Sequence, residues 1–293
     1  MNKVLQCCDN PNHKKLFNIC HKIFGETVLK ECLNCNTKLF LPTLDQEEFE
    51  KIYCKTFANN FNLHKVSFKG RKYFIDYSRF ELIRKFIYLG DVNNILEIGS
   101  GYPGLYPFFK NNNQKYSICE INERTIDIFK ELNVPNLDLN FTNEKFDLIV
   151  CNNVIYYFID IYSYLKNLRK LLKHTSKDRE RSGGGILFID ILNSNTLNED
   201  YYPRTDQINI YSKKSIEFIL KKSGFKILFS GNCSAYPPEE LHFQNHNLYE
   251  KILHRLGLIT YSQLKNILSI DKSCMYSNPN GAYLHVVAEY ENM

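Results

Sequence analysis

The chain has 293 residues, of which 44% are hydrophobic and 24% are charged, and its formal net charge is +5. This length suits one large domain with a small module, and the mild charge argues against a protein dedicated to binding nucleic acid. No apolar run approaches the ~18 residues that cross a bilayer, and the N-terminal residues lack the apolar core of a signal peptide. The composition therefore predicts a soluble cytoplasmic protein that has no membrane partner.

Cysteines cluster near the N-terminus, where six of the ten lie within the first 54 residues. Cys32 and Cys35 form a C-x-x-C pair at the end of a predicted β-hairpin, which is half of a zinc-ribbon-like module assigned to residues 1–41. Thiolates and imidazoles are the ligands that tetrahedral zinc prefers. We predict a structural zinc ion bound by Cys8, His13, Cys32 and Cys35, because adjacent cysteines fit poorly in one knuckle. The alternatives for the irregular first pair are Cys7, Cys20 and His21, and the alternative to a metal site is a set of ordinary buried thiols.

The rest of the chain predicts a helical lead-in followed by an αβ domain. The lead-in is assigned to residues 42–91, and strands then alternate with helices through residues 92–293, apart from a helical insertion at about 236–273. The predicted strands are residues 95–98, 116–120, 137–141, 146–151, 186–192, 225–230 and 283–290. This alternation predicts an α/β fold with a doubly wound, mostly parallel, seven-stranded sheet.

A glycine-rich turn lies between the first of these strands and a helix. Gly99, Gly101 and Gly104 form the pattern G-x-G-x-x-G, and Glu120 follows Gly101 by 19 residues. Glycine lets the backbone approach a ligand closely, and the helix N-terminus offers free N–H groups, so the turn predicts a nucleotide-type cofactor site. The pattern alone also fits a dinucleotide cofactor.

Glu97 distinguishes between the two kinds of cofactor. Its carboxylate lies two residues before Gly99, where it would repel a pyrophosphate but attract the ammonium and sulfonium groups of S-adenosylmethionine (SAM). Glu120 suits either cofactor, because a carboxylate accepts hydrogen bonds from ribose hydroxyls. The residues therefore favour SAM over a nicotinamide dinucleotide.

Several segments together resemble the class I SAM-dependent methyltransferases. ILEIGSG resembles the first motif of that family, YSICEIN its second strand, and FDLIVCNNVIYYF its fourth strand and the following loop. GGGILFIDILN and YSKKSIEFILKKSGFKIL resemble the fifth strand and the next helix and strand. The cysteine pair, proline and acidic helix of CLNCNTKLFLPTLDQEEFEKIY are similar to the zinc-ribbon lead-in of a subgroup. The resemblance implies a Rossmann-like fold that binds SAM.

The resemblance also implies which residues surround the cofactor. Those residues are Glu97, Gly99 and Gly101 at the amino-acid part, Glu120 at the ribose, Asp138 or Asn140 near the adenine, and Asn152 in the wall beside the methionine moiety. Three features depart from the family pattern. Pro103 stands where the third glycine is frequent, Tyr156 and Tyr157 replace a common Glu-His pair, and the first metal pair is not C-x-x-C.

The methyl acceptor is not encoded in these motifs. The resemblance favours O- or N-methylation of a small molecule or glycan precursor. Candidate catalytic residues are Tyr156, Tyr157, His242 and His246, with packing aromatics and exposed loop histidines as the alternatives. Two other functions stay open, namely an NAD(P)-dependent oxidoreductase that uses the glycine turn and an inactive binding protein with the methyltransferase fold.

Overall fold

The computed structural model describes residues 7–8, 12–21, 23–40, 45–56, 71–110, 114–174, 184–197, 202, 206–233 and 283–290. The strands are β1 (His13–His21), β2 (Gly25–Cys32), β3 (Lys38–Phe40), β4 (Asn94–Ile98), β5 (Lys115–Cys119), β6 (Leu148–Asn152), β7 (Ile186–Leu192), β8 (Asn209–Ile210), β9 (Phe225–Cys233) and β10 (Tyr283–Tyr290). The helices are α1 (Gln46–Thr56), α2 (Arg71–Ile83), α3 (Tyr106–Lys110), α4 (Glu123–Glu131), α5 (Ile161–Leu171) and α6 (Lys213–Lys222). None of the helices described is long and apolar enough to cross a membrane.

The larger sheet has six strands in the order β5-β4-β6-β7-β10-β9. The first four are parallel, and β10 runs antiparallel to both β7 and β9. Its central strands are mostly apolar, as expected for strands covered on both faces. One face packs against α5 and α6 through residues such as Leu165 and Ile219. The other packs against α2, α3 and α4 through residues such as Ile83, Phe109 and Phe129. This confirms the predicted α/β class and its mostly parallel sheet.

The smaller sheet has the order β1-β2-β3-β8 and includes the predicted hairpin. Gly25, at the hairpin turn, has a φ of +65°, a conformation that glycine adopts without strain. The fourth strand, β8, lies more than 160 residues further along the chain and adds to the edge formed by β3. The small sheet therefore contains residues from outside the predicted segment 1–41, and the division into three segments stays a prediction.

The predicted strand at residues 137–141 does not form. Asn136 makes one isolated parallel bridge to Ile118, and the chain then turns. The side chain of Asp138 accepts a hydrogen bond from its neighbour Asn140 N at 2.8 Å, and its carbonyl accepts one from Phe141 N at 3.2 Å. Local turn bonding by an aspartate thus outweighs the apolar alternation, and the described sheet has six strands where seven were expected. The predicted insertion at about 236–273 lies outside the described residues.

Candidate functional site

The glycine turn lies at the carboxyl end of β4, the edge where open αβ sheets bind ligands. Gly99 and Gly101 have φ values of +61° and +59°. A Cβ on Gly99 would lie 2.4 Å from Val154 Cγ2, so no side chain fits there. A Cβ on Gly101 would meet nothing within 4 Å. The first glycine is required by packing, whereas the second leaves open space over the backbone.

Gly104 is also required by packing, although Pro103 precedes it. A Cβ on Gly104 would lie 2.3 Å from a carboxylate oxygen of Asp76 on α2. The phenol of Tyr102 donates a 2.5 Å hydrogen bond to that same oxygen. The last part of the turn therefore fits closely against α2, which restricts the third glycine position independently of any ligand.

Glu97 is buried beneath the turn, and both its oxygens accept hydrogen bonds. Tyr116 Oη donates to one oxygen at 2.5 Å, and Asn152 Nδ2 donates to the other at 2.9 Å. Burial raises the pKa of this carboxyl group to about 7, against the ordinary value of 4.5. The protein thus uses two of about four acceptor positions on Glu97, and the ionised carboxylate would place a negative charge beneath the turn.

Glu120 follows β5 and lies against the turn. One oxygen accepts from Gly101 N at 3.0 Å, and the other accepts from Ile121 N at 2.8 Å and Asn122 N at 2.9 Å. Asn136 fixes its backbone, because the Asn136 side chain accepts from Glu120 N and donates to Glu120 O. Three of about four acceptor positions on the carboxylate are thus occupied by backbone N–H groups. Glu120 links the turn to the start of α4.

A buried charged network that the sequence reasoning missed lies beside the turn. Arg79 of α2 bonds to Asp76 Oδ1 at 2.7 Å and, through Nε, to Asp190 Oδ2 at 2.7 Å. Asp190 is fully buried at the end of β7, in register with Asn152. His285 Nε2 lies 3.6 Å from the other Asp190 oxygen. Asp190 interrupts the apolar run 186–192, and a charge in a strand buried on both faces is the signal that predicts such a partner.

Two buried polar atoms at this edge of the sheet are available to bind a ligand. Within the part of the chain that the structure describes, Ser100 Oγ and Asn152 Oδ1 are buried without a hydrogen-bond partner. Buried polar atoms are rarely left unpaired in folded proteins, so such atoms indicate a missing water or ligand. Together with the open space over Gly101, they fit a polar cofactor. The predicted adenine residues Asp138 and Asn140 are exposed on the adjoining turn.

Tyr156 and Tyr157 lie in the segment that follows β6. Their rings are 4.6 Å apart, and Tyr157 also lies 4.8 Å from Tyr53 of α1. Burial raises the pKa of Tyr157 far above the ordinary value of 10.0, so its phenol stays protonated at neutral pH. Tyr157 is therefore unsuited to act as a base. His242 and His246 lie outside the described residues.

The N-terminal cysteines form one compact group. The Sγ atoms of Cys7, Cys8, Cys32 and Cys35 all lie within 4.8 Å of one another, and all four residues are buried. Cys8 Sγ is 3.8 Å from Cys32 Sγ, and Cys7 Sγ is 3.6 Å from Cys35 Sγ. The adjacent thiols of Cys7 and Cys8 thus both point into the group, contrary to the expectation from sequence. The predicted ligand His13 lies beside it, with Nε2 at 3.6 Å from Cys7 Sγ.

The other two alternative ligands lie elsewhere. Cys20 is exposed. His21 is buried, and its Nε2 lies 3.3 Å from Gln207 O, while its Nδ1 accepts from Ile23 N at 3.1 Å. Both imidazole nitrogens of His21 are therefore already used, one towards residue 207 and the other within the hairpin turn.

Comparison with known proteins identifies the family. A family model described as a methyltransferase domain matches residues 71–229. The chain belongs to this methyltransferase family. Its match begins at α2 and includes the glycine turn, Glu120, Arg79 and Asp190, whereas His285 lies beyond it. The assignment confirms the class I methyltransferase resemblance, and nothing in it favours a nicotinamide oxidoreductase.

Solved structures of similar fold include a methyltransferase and a cyclase. Phosphoethanolamine N-methyltransferase 2 of Haemonchus contortus, solved with phosphomonomethylethanolamine and S-adenosylhomocysteine, is 15% identical, with a TM-score of 0.52. That match covers 97% of this chain and 70% of the other. The [4+2]-cyclase SpnF is 13% identical, with a TM-score of 0.52, and covers 85% of this chain and 97% of its own. At such identities the methyltransferase shares a fold with these proteins and no more. No curated protein matches the chain.

Proposed function

We propose that the protein is a SAM-dependent methyltransferase whose glycine turn binds the amino-acid part of the cofactor. The observation that carries this proposal is the surplus of buried acid at the carboxyl edge of the sheet. Glu97, Asp76 and Asp190 are buried there with the guanidinium of Arg79. A buried negative surplus favours a cationic ligand and disfavours a pyrophosphate. SAM brings an ammonium and a sulfonium group, whereas a dinucleotide brings two negative charges.

The residues of the chain would position the cofactor and the acceptor. When bound, SAM supplies an electrophilic methyl group for an in-line displacement. The unpaired atoms of Ser100 and Asn152 would bind its amino-acid part, in the open space over Gly101. The remaining acceptor position of the Glu120 carboxylate would accept a ribose hydroxyl. Alignment of the acceptor with the methyl group is then the main catalytic contribution of the protein.

The Glu120 carboxylate tests this placement. Glu120→Ala removes the ribose acceptor and the carboxylate's bonds to one N–H of the turn and two N–H groups before α4, so we expect the affinity for S-adenosylhomocysteine to fall about 10- to 100-fold. Calorimetry measures this change. The matched control is Glu123→Ala, which removes an exposed acid in the first turn of α4 and should leave the affinity within about twofold. Equal affinities for Glu120→Ala and the wild type would show that the ribose binds elsewhere.

The affinity for SAM should depend on pH through Glu97. Because its pKa is raised to about 7, this carboxyl group is largely neutral at pH 6 and has to lose a proton before it attracts a cation. Affinity should therefore rise about tenfold between pH 6 and pH 8, with protons released on binding. Glu97→Gln should remove this part of the pH dependence, since the ligand's own titration is common to both proteins. If the affinities of the wild type and Glu97→Gln changed with pH in the same way, Glu97 would not be the group that attracts the cofactor.

We propose a small molecule or glycan precursor as the acceptor, with O- or N-methylation favoured. Support comes from the motifs of the sequence and from Tyr157, whose phenol stays neutral and is unsuited to act as a base. An amine that arrives deprotonated needs no such base. Methyl-labelled SAM incubated with fractions of small metabolites, proteins and nucleic acids tests the class of acceptor. Label found only in the nucleic-acid fraction would overturn it.

We also propose that Cys7, Cys8, Cys32 and Cys35 bind a structural zinc ion. Zn–S distances of about 2.3 Å in a tetrahedral site separate the sulfurs by about 3.8 Å. The close pairs at 3.6 and 3.8 Å fit this spacing. The hydrogen bond between the two thiols lowers the pKa of Cys35 and raises the pKa of Cys7, so in this pair Cys35 is the thiol that ionises first. In this set Cys7 replaces the His13 expected from sequence.

A further inference from the structure

The segment that follows β6 is held by residues that are distant from it in the sequence. Ile208 N donates to Tyr156 O at 3.1 Å, and Asn209 Nδ2 donates to Phe158 O at 2.7 Å. Gln46, the first residue of α1, accepts from Ile159 N at 2.9 Å and donates to Tyr157 O at 3.4 Å. Four consecutive residues, here called the wall segment (Tyr156 to Ile159), are therefore fixed through their backbone by two side-chain amides and one backbone N–H.

The strand that holds the wall segment is itself joined to the cysteine group. β8 pairs with β3, where Leu39 faces Asn209, and Phe40 N donates to Ile208 O at 2.9 Å. β3 follows directly after Thr37, whose hydroxyl lies 3.1 Å from Cys35 Sγ and whose carbonyl accepts from Cys32 N at 2.9 Å. A continuous set of hydrogen bonds thus connects the cysteine group, β3, β8 and the wall segment.

Side-chain packing follows the same route. Cys7 and Cys35 belong to the same buried cluster as Leu39, Tyr211 and Tyr156. The cysteine group is therefore part of the core that lies under the wall segment, and it is not an appendage on a linker. A change at the cysteines would disturb contacts shared with the catalytic domain, since close-packed interiors transmit such changes.

We propose that the cysteine module positions the wall of the methyl-transfer site, with Gln46 and Asn209 as positioning residues. The proposal rests on the proposed function only in that residues 152–159 border the cofactor. Zinc bound by the four cysteines would fix β3, β3 would fix β8, and β8 with Gln46 would fix Tyr156 and Tyr157 where the acceptor has to align. Metal occupancy would then control acceptor alignment while leaving the Glu120 side of the cofactor site intact.

Amide hydrogen exchange of the full-length protein, with and without treatment by a zinc chelator, tests this coupling. We expect chelation to accelerate exchange at least about tenfold at residues 155–159 and 206–211, with little change in β4. Affinity for S-adenosylhomocysteine should stay within about threefold. Acceleration confined to residues 12–40 would overturn the proposal. Loss of cofactor binding by the untreated protein would instead overturn the proposed function, so the two failures are distinguishable.

A substitution that leaves the cysteines in place tests the positioning role even if chelation also accelerates exchange in β4. Gln46→Met keeps the size of the side chain and removes both amide contacts, so exchange at Ile159 should accelerate at least about tenfold. The matched control is Gln114→Met, because Gln114 Nε2 makes the same kind of bond to Leu89 O, at 2.9 Å, near the opposite edge of the sheet. Unchanged exchange at Ile159 in Gln46→Met, or equal acceleration there in the control, would overturn the positioning role.

Discussion

Arg79→Met is expected to lower the free energy of unfolding by about 3–5 kcal/mol, a large share of the stability of a typical domain. Arg79 is buried between Asp76 and Asp190, with bonds of 2.7 Å to each. Burial alone would raise the pKa of Asp190. Because the positive charge of Arg79 lies nearby, the pKa of this carboxyl group is instead below its ordinary value. The substitution leaves two carboxylates buried without their common partner. Urea unfolding followed by circular dichroism measures the loss.

Two variants provide the controls for Arg79. Arg84→Met removes a half-exposed arginine, 3.1 Å from Glu81, and should cost at most about 1 kcal/mol. Adding Asp190→Asn to Arg79→Met removes one of the unpaired charges and should recover part of the stability, because the two groups act as a unit. A loss below about 1 kcal/mol for Arg79→Met would show that water reaches the network and that no negative surplus is buried there.

Cys7→Ser is expected to abolish zinc binding, whereas His13→Ala should retain it. A structural zinc ion contributes about 10 kcal/mol or more to the folding of small zinc domains, and loss of one thiolate removes much of this contribution. We therefore expect about one zinc per chain in the wild type and His13→Ala, and almost none in Cys7→Ser, together with a marked fall in the melting temperature. Metal analysis after gel filtration measures the zinc content.

The exposed Cys20 provides a control for the loss of a thiol. Cys20→Ser should keep both the zinc and the melting temperature of the wild type, because this side chain lies outside the cysteine group. The opposite pattern, with zinc retained in Cys7→Ser and lost in His13→Ala, would restore the ligand set expected from sequence. Absence of zinc from the wild type purified without chelators would remove the metal proposal altogether.

The geometry of the glycine turn could be predicted from sequence, because its residues are consecutive or follow one strand later. Glu97 and Gly101 are separated by a few residues, and Glu120 lies at the end of the next strand, so an αβ pattern alone brings them together. The fold class followed from the same alternation of strands and helices, and the family assignment confirms it. Local sequence was sufficient to predict contacts wherever the order of strands and helices determines which residues are neighbours.

The buried network could not be predicted in the same way. Arg79 and Asp190 are 111 residues apart, and an arginine in an amphipathic helix is usually solvated. Asp190 alone carried a signal, as a charge within an apolar strand. The strand expected at 137–141 does not form, for a local reason. The turn that Asp138 makes through its side chain outweighs the apolar alternation of this segment.

The cysteine group shows a further limit of sequence reasoning. The spacing of Cys32 and Cys35 predicted one half of the group, because a C-x-x-C knuckle fixes both thiols locally. Which residues complete it depends on how the chain before β1 folds back, and spacing does not determine that path. The connection from this group through β8 to the wall segment likewise depends on a two-residue strand, which is too short to produce a periodic pattern.

Calorimetry of the full chain with SAM, S-adenosylhomocysteine and NAD tests the central claim most directly. We expect one molecule of SAM or S-adenosylhomocysteine to bind per chain, with SAM affinity rising from pH 6 to pH 8, and we expect no heat from NAD. This result follows if the acids around Glu97 form a site for a cationic cofactor. Tight binding of NAD without binding of SAM would contradict it.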